Sequence, residues 1–288
     1  MKSIKYLGIM LDEKLNFNQH IKHTATKANK IMNKIISIGQ SKFHLPLRII
    51  RNYHNTILTA IITYGSSVWA HRLKIKQNAA IVDRVQRNIL LRLSGAYKTT
   101  AKDALLVAVG ICPISLEVIR RAATYWLRKG DQEKASAILE TQVRNMQEVT
   151  NCILNKWQHQ WDESSTGRRT YSFFPDIKER LQLNHVTPSR GMIQYITGHG
   201  PYQENLYRLG IINSPNCECG EISATAEHVT WECEITRNVK SEIRAILAQR
   251  QLFEIIRIPN LYSTCDEIAN AVSAFLKKKY VESLRKRG

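Results

Sequence analysis

Three cysteines and one histidine crowd into a short stretch of this chain: Cys217-x-Cys219, then His228, then Cys233. Three thiolates and an imidazole are the soft and borderline donors that close a tetrahedral zinc site. Four protein ligands leave no open position for catalysis, so one structural zinc ion is expected. Pro215 and Gly220 bracket the Cys-x-Cys step, which reads as a turn that lets both sulfurs point inward. His228 and Cys233 stand five apart, a spacing that can converge from a helical turn and its end. Glu218, Glu221, Glu227, Glu232 and Glu234 surround these ligands, with no Lys or Arg between Ser214 and Thr236. The knuckle itself is therefore acidic. Any phosphate contact from this region has to come from the flanking Arg190, Arg208, Arg237, Lys240 and Arg244, and the knuckle reads as a clip that orders them.

A second pattern is basic. Lys27, Lys30 and Lys34 recur three and four apart, opposite the apolar positions Ile21, Ala25, Ala28, Met32 and Ile35, so they share one exposed stripe of a helix. Arg84 and Arg87 form a smaller pair. Rows of this kind can follow a phosphate backbone. Nothing resembling an active site accompanies them. The sequence has no Asp-Asp dipeptide to hold paired metals, no Gly-rich phosphate loop, no nucleophile elbow and no His-Glu-x-x-His helix. Asp176 is followed too closely by Lys178 for a spaced nuclease acid–Lys pair.

The frame for these motifs is a chain of 288 residues, enough for one large domain or two ordinary ones. Hydrophobic residues make up 43% and charged residues 23%, which excludes a disordered chain. No apolar run approaches the length of a membrane span, and the N-terminus reaches Asp12 and Glu13 too soon for a secretory signal. The six cysteines are then expected as thiols or metal ligands. The net charge of +18 is concentrated in residues 1–150, with 24 Lys and Arg against 9 Asp and Glu. Such a balance favours a polyanionic partner.

Residues 4–12 read as a strand or tight hairpin, and helical periodicity follows to about residue 160. Gly39 is placed as a helix end. Pro46 starts a second helix whose face is Ile50, Tyr53, Ile57 and Ile61. Ile81, Val85, Ile89 and Leu93 form a third, ending at Gly95. Thr100 with Asp103 resembles a capping box, and Pro113 opens a helix that runs to Gly130. The polar stretch Asp162–Arg169 reads as a linker. The expected fold is mainly α: a helical bundle after a short β-hairpin over residues 1–160, then a smaller α-rich, nucleic-acid-binding domain over residues 165–288 clipped by the knuckle.

Taken in order, the motifs resemble a known family. Lys5-Tyr6-Leu7-Gly8-Ile9-Met10-Leu11-Asp12 and Leu15-x-Phe17-x-x-His20-Ile21 resemble the segment after the palm in reverse transcriptases of non-LTR retrotransposons. Tyr64-Gly65-Ser66-x-x-Trp69, Gln86-Arg87, Ala96-Tyr97-x-Thr99-Thr100 with Ala104-Leu105, Gly167-Arg168-x-Thr170 with Phe174-Pro175-Asp176, and Thr197-Gly198-His199-Gly200 continue the likeness. The knuckle falls where that family places its C-terminal one. The likeness runs over essentially the whole chain and is strongest to Pol polyproteins of type-1 elements that insert into insect ribosomal RNA genes.

The resemblance implies an RNA-directed DNA polymerase of a transposable element, with an endonuclease that nicks the target to prime reverse transcription. Lys5, Tyr6, Leu7 and Gly8 would then correspond to the primer grip, the helices from His20 onward to the thumb, and the C-terminal region to a binder of element RNA or target DNA. A nuclear location follows from the same resemblance. The palm aspartates and the Mg they hold would belong to a longer parent protein, so this part is expected to be inactive by itself. It would be either a piece of that protein or a remnant reading frame. The alternative reading is a non-enzymatic, zinc-clipped adaptor that binds RNA or protein. The oligomeric state is left open by the sequence.

Overall fold

The computed structural model describes residues 3–40, 46–239 and 252–285. It is mostly helical, with one small hairpin. Strands β1 (Ser3–Tyr6) and β2 (Ile9–Asp12) pair antiparallel, Tyr6 opposite Ile9 and Ser3 opposite Asp12. Leu7 and Gly8 make the two-residue turn, both at positive φ (45° and 84°), which is the geometry that matches the twist of a tight hairpin. Gly8 adopts it freely, whereas Leu7 does so at a cost of about 1–2 kcal/mol.

The helices follow in order: α1 (Asn18–Gln40), α2 (Leu47–Tyr53), α3 (Thr59–Thr63), α4 (Ser66–Trp69), α5 (Lys76–Ser94), α6 (Lys102–Val109), α7 (Ile114–Arg128), α8 (Gln132–Leu139), α9 (Met146–Asp162), α10 (Arg168–Phe173), α11 (Ile177–Gln182), α12 (Arg190–Thr197), α13 (Gln203–Arg208), α14 (Leu252–Ile255) and α15 (Pro259–Arg285). None of them is long and apolar enough to cross a membrane. Several starts are fixed by side chains that satisfy otherwise unpaired backbone N–H groups: Asp131, Asn145, Asp176 and Ser189 each accept from the amide three residues on. Asp176 is thus a helix cap, which accounts for its place after Pro175.

The chain divides into two compact units. The first comprises Met1–Leu93 with Ile111–Glu163, and the second Ser94–Gly110 with Ser164–Gly288. The second unit therefore takes α6 out of the middle of the first stretch. Packing that no local pattern records explains this. A Cβ on Gly167 would lie 2.7 Å from the Cβ of Ala104, and the buried Arg180 guanidinium donates to the carbonyls of Val107 (3.1 Å) and Ala108 (2.8 Å) at the end of α6.

In the first unit the buried face of α1 is Ile21, Ala25, Ala28, Met32 and Ile36, with Phe17 buried just before the helix. Ile36 replaces the expected Ile35, and α1 runs through Gly39 to Gln40, a tolerable position for glycine inside a helix. The second apolar face also shifts by one residue. Ile50, His54, Leu58 and Ile62 are buried, while Tyr53, Ile57 and Ile61 are half-buried. The widened π-turn over His54–Leu58 carries this face, and it buries a histidine that an apolar pattern passes over. On α5, Val82 rather than Ile81 reaches the core. The capping box does not form: α6 begins after Ala101, which has no side-chain cap, and Asp103 instead meets Ser164 and Lys102.

Gln86, fully buried on α5, holds the π-turn in place. Its Nε2 lies 2.8 Å from His54 Nε2 and 2.8 Å from the Cys112 carbonyl, and its Oε1 accepts from the Ile114 amide at 2.9 Å. Burial holds the His54 imidazole below its usual pKa, so it is neutral in this network. Replacing Gln86 with Leu leaves three buried polar groups unpaired. Urea unfolding should show the first unit destabilised by about 3–5 kcal/mol, and a loss below about 1 kcal/mol would remove the network from the account.

Candidate metal cluster and basic cavity

The Cys-x-Cys step is a tight turn. The Gly220 amide donates to the Cys217 carbonyl at 3.1 Å, the Cys217 amide to the Glu221 carbonyl at 2.8 Å, and Gly220 takes a φ of 101°. From the other side, residues His228–Glu232 form a single π-turn closed by the Cys233 amide on the His228 carbonyl at 2.7 Å. The Thr225 hydroxyl accepts from the His228 amide, and the Thr236 hydroxyl donates to the Val229 and Cys233 carbonyls. These two turns bring the four ligand atoms within 4.8 Å of one another, with Cys217 Sγ 3.5 Å from Cys233 Sγ and Cys219 Sγ 3.2 Å from His228 Nε2. Donors on a tetrahedral ion with bonds of about 2.0–2.3 Å stand roughly this far apart, so the cluster can hold a metal ion. Burial pushes the Cys217 thiol up to about 12, while the exposed Cys219 is held below its usual value by the Glu221 amide.

Three of the five acids around the ligands face a neighbouring cation. Glu227 pairs with Arg169, Glu218 with Lys279 of α15, and Glu234 with Arg237 at 3.1 Å. Arg237, expected as a phosphate contact, faces Glu234 while both side chains stay exposed. Arg169 also donates Nε to the Tyr195 carbonyl at 3.0 Å and lies over the rings of Phe173 and Tyr195, and its Cδ occupies the space where a Cβ on Gly198 would be. No periodicity in the sequence marks this arginine. It ties the residue next to His228 to the end of α12. Arg169→Ala should lower the stability of the second unit by about 2–4 kcal/mol and weaken metal binding, as read by thermal unfolding and competition with a chromophoric chelator. If both are unchanged, the link carries no load.

In the first unit a cavity of about 460 Å³ opens between the hairpin turn, α1 and α3. Lys5, Leu7, Gly8, His20, His23, Thr24, Lys27, Ala60, Ile61 and Tyr64 line it. The Tyr64 hydroxyl donates to the Leu7 carbonyl at 2.9 Å, and its ring sits 3.2 Å from where a Gly8 Cβ would be. This contact fixes the strained turn against the helices. The Met10 amide donates to His20 Nδ1 at 3.4 Å, and burial drops His20 to about 4, leaving it neutral at physiological pH. The cations of the cavity are Lys5 and Lys27.

Lys27, Lys30 and Lys34 are all exposed along α1, and only Lys27 reaches the cavity. Tyr6 is exposed on β1 and outside the lining. Arg84 is exposed and Arg87 half-buried on α5, and neither lines the cavity. Arg190 is half-buried at the start of α12, and Arg208 is exposed at the end of α13. Lys240 and Arg244 lie outside the described residues.

Relatives give these two sites a context. The retrovirus-related Pol polyprotein from type-1 retrotransposable element R1 4 of Nasonia vitripennis is 26% identical over 251 residues, covering 84% of this chain and 63% of that protein. The R1 Pol polyprotein of Bradysia coprophila is 24% identical over 246 residues, 82% of this chain and 24% of that protein. The chain is similar to type-1 retrotransposon Pol polyproteins. A further R1 relative from Nasonia vitripennis is 26% identical over 251 residues, 82% of this chain and 60% of the relative. This chain therefore spans less than two thirds of the length of these R1 relatives. No family model matches the chain, and no solved structure does.

Proposed function

We propose that the chain is the C-terminal portion of an R1-type RNA-directed DNA polymerase and that it grips nucleic acid without carrying the catalytic aspartates. The observation that carries this reading is the cavity in which Lys5, Leu7 and Gly8 of the hairpin meet Lys27 of the basic stripe. In such a protein the hairpin turn acts as the primer grip and α1 as part of the thumb. Lys30 and Lys34 extend the contact along the duplex backbone, which fixes position and carries no sequence information. Nucleotidyl transfer, Mg binding and target nicking then belong to other parts of a longer polyprotein working in the nucleus on ribosomal DNA. Cys217, Cys219, His228 and Cys233 hold one structural zinc ion, whose bonds replace a hydrophobic core in the small knuckle.

The reading is tested by titrating the full chain with an RNA–DNA primer–template duplex at a series of salt concentrations. Affinity should be indifferent to sequence and fall steeply with salt. An affinity independent of salt, or no duplex binding at all, would overturn it.

A further inference from the structure

In the second unit most cations around the knuckle face a carboxylate, as Arg169, Arg237 and Lys279 do. Arg190 and Arg208 differ: among the described residues neither has a carboxylate partner. They lie at the two ends of one strip. The segment Gly95–Thr99 runs beside α12. Arg190 lies across Gly95, whose Cβ would fall 2.7 Å from Arg190 Nε, and Gln194 Nε2 reaches the Gly95 carbonyl at 3.3 Å. At the other end Thr99 Oγ1 stands 2.9 Å from His199 Nδ1. Beside it Arg208 donates to Asn205 Oδ1 at 3.0 Å, and Asn205 in turn donates to the Gly200 carbonyl at 2.8 Å, while Tyr97 lies half-buried within the Gly95–Thr99 segment. Two segments a hundred residues apart, Ala96–Thr100 and Thr197–Gly200, thus meet without any share in the knuckle or the cavity.

We propose that this strip, with Arg190 and Arg208 at its ends and Tyr97, Thr99 and His199 between them, binds the phosphate backbone of single-stranded nucleic acid. The proposal rests on the nucleic-acid reading above and adds a face on the second unit. A half-buried tyrosine flanked by guanidinium groups is the combination that single-strand binders use, an aromatic surface for a base beside cations for its phosphates. Helix α12 is about 12 Å long, with Arg190 at its start and His199 just past its end. Burial and the nearby Arg208 hold His199 below its usual pKa, so at neutral pH its ring is uncharged and supplies one N–H. Arg169, pinning the turn at Gly198, links the knuckle to the His199 end, which gives the acidic clip a role without direct phosphate contact.

The test is fluorescence anisotropy of the metal-replete full chain with a labelled single-stranded RNA and a DNA of the same sequence. Arg208→Gln and Arg190→Gln should each weaken binding about fivefold at roughly 0.1 M salt, and about 25-fold together. Each should flatten the log–log salt dependence by about 0.7. Arg208→Lys should keep most of the affinity, and Lys178→Gln, an exposed cation on α11, should leave it unchanged. Equal losses on RNA and DNA support contact with the backbone alone, and a larger loss on RNA supports it with a contribution from the 2′-hydroxyl. Because Arg190 packs on Gly95, Arg208→Gln with an unchanged melting temperature is the deciding variant. If that variant binds as the parent does, with the same slope, the strip is overturned while the polymerase reading stands. A parent chain that binds no nucleic acid overturns both.

Discussion

Charge reversal of Lys27, Lys30 and Lys34 to Glu should weaken binding of an RNA–DNA duplex by about 10²–10³-fold at roughly 0.1 M salt. The arithmetic follows from counterion release: each neutralised phosphate contributes about 0.9 to the log–log slope, so three lost contacts flatten it by about 2.7. All three side chains are exposed on α1, so the substitutions remove no core contact and the helix stays packed through Ile21, Ala25, Ala28, Met32 and Ile36. Because Lys27 alone reaches the cavity, Lys27→Glu by itself should lose more than Lys30→Glu or Lys34→Glu. A triple variant with the parent's affinity and slope, and the parent's circular dichroism, would remove α1 as the binding face.

The second large effect concerns the metal cluster. The purified chain should carry one zinc ion, and Cys233→Ser should lose it, since a hydroxyl is a far poorer ligand than a thiolate and the other three donors cannot close the site. The binding energy of such a site, about 10–16 kcal/mol in small zinc domains, is folding energy for the segment it clips. Amide exchange should therefore rise sharply over residues 217–236, including the Ala224 amide on the Pro215 carbonyl and the Cys233 amide on the His228 carbonyl. Protection in the first unit should persist. His228→Cys, which keeps four soft donors, is expected to retain metal and protection. Slow exchange over 217–236 in the metal-free Cys233→Ser protein would mean that packing around the buried Trp231 and Cys233, and not an ion, holds the knuckle.

How far the sequence reaches can be judged from particular residues. The cysteine–histidine spacing pointed to two turns converging on one point, because the ligands lie close in sequence and local backbone geometry alone brings them together. The hairpin around Leu7 and Gly8 and the exposed stripe Lys27–Lys30–Lys34 were legible for the same reason. Apolar spacing places the face of α2 and α3 one residue off, since the buried position is His54, whose ring is paired by Gln86, 32 residues away. Thr100 and Asp103 have the spacing of a cap, yet the cap position falls on Ala101 and Asp103 meets Ser164, 61 residues away.

By itself the sequence determined the mainly helical class, the four-donor cluster, the basic character of the first half and the likeness to R1 Pol polyproteins. Only the tertiary structure decided that Lys5 and Lys27 share a cavity, that α6 joins the second unit, that three acids of the knuckle, Glu218, Glu227 and Glu234, face Lys279, Arg169 and Arg237, and that Thr99 meets His199. The division has a physical cause. Periodicity and ligand spacing are properties of neighbours along the chain, whereas charge pairing, cavity walls and buried polar partners depend on which distant side chains the packed core brings within a few ångströms.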